Sequence, residues 1–180
     1  GNDDDHHVPA FQPAPAEMRP VIFLDFDGVL RPLPPRGRLC TPKQLARRFD
    51  DLRLLRVDPG MCTLYSGIDA QAMSLLAQLC SAFDAQIVLT SSWSAVYPLA
   101  AFQPLFRPWH LTQRVIGSVP AGESRPEQIR AWLQAHPRPC WISLDDLPME
   151  EHFPQHAVTT AGVLDEDAYA RACAFLQRQR

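Results

Sequence analysis

The chain has 180 residues, a net charge of −3, 46% hydrophobic and 21% charged residues, the profile of a single globular domain of about 100–200 residues. This slightly acidic balance argues against a strongly basic nucleic-acid module, though not against a local basic groove. Cys40, Cys62, Cys80, Cys140 and Cys173 are odd in number and include no C-x-x-C. They point to neither a zinc knuckle nor a disulfide framework and suit a reducing, cytoplasmic setting.

Residues 1–19 are rich in Pro, Ala and acidic residues and lack an apolar signal core. They read as a disordered lead-in, in which Asp3, Asp4, Asp5, His6 and His7 form a solvated tail rather than a metal site. Residues 20–180 read as one domain. No apolar run reaches the roughly 18 residues that a membrane span needs.

Val21-Ile22-Phe23-Leu24 is a continuous apolar run, as expected of a strand buried on both faces of a parallel sheet, and it ends in Asp25-Phe26-Asp27-Gly28. The segment 29–67 holds Pro32, Pro34, Pro35, Pro42 and Pro59. It predicts a small insert with one short helix near 42–49 and otherwise irregular or hairpin structure. Its Arg31, Arg36, Arg38, Arg47, Arg48, Arg53 and Arg56 read as a solvated face and as the best contacts for an anionic substrate.

From Asp69 to Phe83, Ala72, Leu75, Leu76, Leu79, Cys80 and Phe83 keep the spacing of one apolar helix face. Gln86 to Thr90 reads as the second strand, followed by Ser91-Ser92-Trp93 and a short helical stretch near 95–102. Arg114 to Val119 predicts a third strand. Ser124 and Glu127 match a capping box that opens a helix with Ile129, Trp132 and Leu133 on its apolar stripe. Cys140 to Leu144 predicts a fourth strand ending in Asp145-Asp146, Ala157 to Thr159 a weak fifth, and Asp165 starts the last helix. Strands alternating with helices imply an α/β three-layer sandwich around a parallel sheet.

Open parallel sheets bind ligands beyond the carboxyl ends of their strands. Here three strand ends are polar: Asp25 and Asp27, then Thr90, Ser91 and Ser92, then Asp145 and Asp146. Up to four carboxylates side by side repel one another and call for a cation, and oxygen-only donors favour magnesium over zinc. The plain alternatives are a solvated turn for a lone D-x-D and helix capping for the hydroxyls, an even choice for Ser92 and a weaker one for Ser91. Trp93, Trp132 and Trp141 read as core residues, and His110, His136, His152 and His156 show no ligand spacing.

VIFLDFDGVL, followed by IVLTSSW, SRPEQIRAWL and ISLDDLP, resembles the motif series of the haloacid dehalogenase superfamily. It is most similar to a small subgroup that occurs alone in bacteria or beside nucleic-acid repair modules. The resemblance runs from about Pro20 to Gln177 and implies a Rossmann-like core with a cap or flap at 29–67. It implies Asp25 as nucleophile and Asp27 as general acid/base, with the Asp27 main-chain carbonyl on the metal. It further implies Asp146 as the preferred magnesium ligand, with Asp145 orienting water or the basic residue. Ser91, or Thr90 in the alternative register, matches the phosphate-binding hydroxyl, with Ser92 beside it. The family commonly has lysine at its third motif; Arg125 stands there, still charged and able to bind two phosphate oxygens. The expectation is a magnesium-dependent phosphomonoester hydrolase for a phosphorylated substrate, with nucleotides or nucleic-acid ends favoured by the small cover. The competing reading is a catalytically idle phosphate-binding protein; a third is phosphoryl transfer between substrates.

Overall fold

The computed structural model describes residues 15–180. The acidic and histidine tail read as a lead-in therefore lies outside the described residues. Residues 15–19 contain a single 3₁₀ turn, Ala16–Met18, and Arg19 pairs with Asp84 at 3.0 Å.

Five strands form one all-parallel sheet: β1 (Val21–Leu24), β2 (Gln86–Leu89), β3 (Val115–Ser118), β4 (Trp141–Asp145) and β5 (Ala157–Thr159), in the order β3-β2-β1-β4-β5. All four residues of β1 are fully buried, as a strand covered on both faces must be. Burying each of its large apolar side chains contributes about 1.5–3 kcal/mol.

Period-two alternation divides the strands between two cores. Ile22, Leu24, Ile87, Leu89, Ile142 and Leu144 face the larger cluster. Val21, Phe23, Val88 and Trp141 face the smaller one, built with Ile129, Trp132, Met149 and Phe153. Helices α3 (Ala70–Phe83) and α7 (Glu166–Arg178) cover the first face, and α6 (Arg125–Ala135) covers the second. This is the α/β three-layer arrangement of a Rossmann-like core.

The insert has its expected short helix near 42–49 and otherwise differs from its expected form. It contains no hairpin. It folds as α1 (Pro42–Arg48), a 3₁₀ segment at Leu52–Arg56 and α2 (Pro59–Gly67). Pro42 and Pro59 occupy first-turn positions behind the caps Thr41 and Asp58, where a missing N–H costs nothing. Thr41 and Gln44 form a reciprocal capping box. At Ser124 only half of the expected box exists: the hydroxyl accepts from Glu127 N at 3.3 Å. Leu45, Phe49, Leu54, Met61, Leu64 and Tyr65 join the larger core, so the insert is part of the folded body. Its arginines are not all solvated: Arg48 donates to the Ser66 and Ile68 carbonyls at 3.3 and 2.8 Å, and Arg53 pairs with the buried Asp51 at 2.7 Å.

After β2, residues 92–106 form α4 (Ser92–Val96), a 3₁₀ segment at Leu99–Phe102 and α5 (Gln103–Phe106).

Candidate active site

Backbone register builds the site. Leu24 lies level with Leu89 on one side and with Leu144 on the other. The next residues, Asp25, Thr90 and Asp145, therefore stand abreast at the carboxyl ends of three adjacent strands. The Leu24, Leu89 and Leu144 side chains face the larger core, so alternation turns Asp25, Thr90 and Asp145 toward the α6 side. Arg125, the first residue of α6, reaches into the same place. Its Nη1 lies 2.5 Å from Asp145 Oδ2 and 3.5 Å from Asp25 Oδ2.

Phe26 fixes the chain between the two motif aspartates. Its ring is fully buried against Phe102 and Phe106, with centroids 5.2 and 6.0 Å away. Its carbonyl accepts from Leu30 N and Arg31 N, both at 2.9 Å, which curls the chain sharply after Asp27. Gly28 follows at φ +83°, and a Cβ there would lie 2.6 Å from the Asp146 side chain. Glycine is required both by the left-handed backbone and by the approach of Asp146.

Ligand oxygens of Asp25, Asp145 and Asp146 all lie within 4.8 Å of one another. Asp25 and Asp145 are buried, at 6% and 2% exposure. Burial pushes the Asp25 carboxyl up to about 8, the Asp145 charge adds to the rise, and Arg125 opposes it. Burial also raises Asp145, against the pull of Arg125 and a hydrogen bond from Leu147 N. Two carboxylates this close resist being ionised together, which adds to the rise on Asp25. Asp146 has no hydrogen-bond partner among the described residues, and neither does the Asp27 main-chain carbonyl. Three hard carboxylates facing one guanidinium leave an excess of negative charge. This donor set is able to hold a hard divalent cation.

The Asp27 carboxylate stands apart from the cluster. Arg31 Nη1 donates to its Oδ1 at 2.8 Å, and Trp93 Nε1 donates to its Oδ2 at 2.9 Å. The sequence suggests a core role for Trp93 and a solvated one for Arg31; both instead grip this side chain. The signals are local: an arginine four residues after Asp27, and an indole just after the Ser91-Ser92 pair. Trp132 and Trp141 do sit in the smaller core.

Beside Arg125 a cleft of about 400 Å³ is lined by Thr90, Ser91, Ser92, Ser94 and Gln128. Ser91, not Ser92, caps α4, its hydroxyl accepting from Trp93 N at 3.1 Å. The Thr90 hydroxyl is buried without a hydrogen-bond partner, an expensive state for a polar group unless a ligand or water completes it. Thr90 and Ser91 both line the cleft.

A parallel sheet with carboxylates at the ends of its central strands, and a hydroxyl-lined cleft beside them, defines a hydrolase scaffold of the haloacid dehalogenase type. Residues 21–166 match the model of the HAD domain in Swiss Army Knife RNA repair proteins, and the chain belongs to that family. No curated protein and no solved structure matches the chain. Among the described residues, no helix is long and apolar enough to cross a membrane.

Proposed function

We propose that the chain is a magnesium-dependent phosphomonoester hydrolase that works through an aspartyl phosphate on Asp25. The observation that carries this reading is the level placement of Asp25, Asp145 and the unpartnered Thr90 hydroxyl beside Arg125. In this reading Asp25 Oδ attacks phosphorus in line, the bond from phosphorus to the leaving oxygen breaks, and Asp27 supplies that oxygen with a proton. Asp27 then takes a proton from water as the water oxygen attacks phosphorus. The bond to Asp25 breaks and inorganic phosphate leaves.

Asp146, Asp25 and the Asp27 main-chain carbonyl would hold magnesium, with Asp145 fixing Arg125. The ion would favour the ionised form of Asp25 and offset the charge on the phosphoryl oxygens. Arg125 with Thr90, Ser91 and Ser92 would hold those oxygens from the opposite side, Arg125 in place of the lysine usual in such sites. The RNA repair setting of the family supports a nucleotide or nucleic-acid end as substrate.

Turnover of a generic aryl phosphate tests the reading. Wild type is expected to need magnesium and to stop in excess chelator. Asp25→Asn is expected to lose on the order of 10⁴-fold in kcat while keeping its circular dichroism spectrum. Asp146→Ala is expected to weaken magnesium binding more than Asp145→Ala. Full turnover in chelator, or an active Asp25→Asn, would refute it.

A further inference from the structure

The loop that leaves the site opens a second, cationic cavity. Arg31, whose Nη1 holds Asp27, also lines a space of about 90 Å³ together with Pro35, Arg36, Arg38, Leu39 and Ser66. No carboxylate lines it. Among the described residues, the Arg36 and Arg38 guanidinium groups have no salt-bridge partner, whereas Arg31 and Arg53 do. The Arg31 Nε–H is buried and unpartnered. Gly67 makes room for it, since a Cβ there would lie 2.7 Å from Arg31 Nε. Gly37, at φ +84°, turns the chain between Arg36 and Arg38. Ser66 Oγ accepts from Cys40 N at 2.8 Å and keeps its own O–H to donate. The space equals about three water volumes of about 30 Å³ each, the scale of one phosphate group. Pro35 and the 70% exposed Leu39 give its wall an apolar surface.

We propose that this cavity is a second phosphate subsite, which takes the phosphate adjoining the scissile one, so that the preferred substrate is a phosphate-ended oligonucleotide. The proposal rests on the phosphohydrolase reading for the bond cleaved, but not for the binding. Arg31 then serves both places: its Nη1 orients Asp27, and its charge borders the neighbouring phosphate. A lone monophosphate would leave Arg36 and Arg38 unanswered. An oligonucleotide satisfies them and lays a base or sugar along Pro35 and Leu39.

The test uses Arg36→Ala/Arg38→Ala in the full chain and two readouts. The first is kcat/KM for a terminally phosphorylated tetraribonucleotide, a nucleoside 3′,5′-bisphosphate and an aryl phosphate. The double variant is expected to lower the ratio of tetranucleotide to aryl phosphate about tenfold. The second is fluorescence anisotropy of the same tetranucleotide, labelled, on Asp25→Asn with and without the two alanines. Affinity is expected to fall about tenfold. The slope of log affinity against log salt is expected to shrink by about 0.7, the value for one phosphate of a single strand left without its cation. An unchanged ratio and affinity, or equal loss on both substrates, would overturn the subsite. A bisphosphate turned over as well as the tetranucleotide would overturn the oligonucleotide preference and leave a small bisphosphate as the substrate. If wild type hydrolyses none of the three, the phosphohydrolase reading fails, and anisotropy alone still decides the subsite.

Discussion

At the ends of β1, β2 and β4, side chains are placed by backbone register, whereas in residues 29–67 they are placed by packing within the larger core. In the first region three residues follow three paired leucines, and their directions follow from strand alternation. In the second, Leu45, Phe49 and Tyr65 are buried in the larger core, with the Phe49 and Tyr65 rings edge to face at 5.0 Å. Register carries over from sequence into three dimensions more directly than packing does. A buried parallel strand has one way to present its carboxyl end, while a proline-rich segment has many ways to be compact.

If the insert is part of the body rather than a flap, Leu45→Ala should cost about 2–5 kcal/mol, the usual range for a fully buried leucine. Denaturant unfolding would show one cooperative transition shifted to lower midpoint. A loss under about 1 kcal/mol, well below that range, or a separate early transition, would make the insert an appendage.

The two regions meet at Asp27, gripped by Arg31 from one and by Trp93 from the other. Trp93→Phe keeps an aromatic ring and removes the indole N–H. A hydrogen bond to a charged group contributes about 1.5–3 kcal/mol, so kcat should fall about 10- to 100-fold with KM little changed. A change confined to KM would mean that Trp93 shapes the cleft and leaves Asp27 alone.

A smaller shift is expected with pH. Asp25, raised from 3.8 to about 8 by burial and Asp145, is protonated in the folded chain and ionised in the unfolded chain between those values. The folded state therefore binds more protons, and its stability falls as pH rises from about 4 to about 8. Over one pH unit the fall is at most about 1.4 kcal/mol, or about 4 °C in Tm for a domain of this size. In chelator, Tm should drop between pH 6 and pH 7 more steeply for wild type than for Asp25→Asn. Parallel slopes would mean that Asp25 is not the group holding the proton.

Much of the site was legible for the same reason that its fold was. Asp25, Asp145 and Asp146 end apolar runs, and Arg125 follows a helix cap, so strand and helix boundaries located them. Ser91 was legible as a strand-end hydroxyl, but as the cap of α4 it was the weaker choice beside Ser92. That role depends on where the helix begins by one residue. Trp93 and Arg31 were not legible as partners of Asp27, because an arginine and a tryptophan near a loop serve many ends until a carboxylate faces them. The first helix of the insert, near 42–49, was legible; the second was not, because proline counts as a breaker until a cap precedes it. Asp58 converts Pro59 into a helix start.

The proposed chemistry stands or falls on whether Asp25 itself carries the phosphoryl group. Wild type would be mixed rapidly with magnesium and a slowly released phosphomonoester, then quenched in acid within the first turnover. Mass spectrometry of the peptide holding residues 20–31 should then find a phosphoryl group on Asp25 that is lost at alkaline pH and is missing in Asp25→Asn. Turnover with no covalent phosphate on that peptide at any quench time, or phosphate on another residue, would contradict the mechanism.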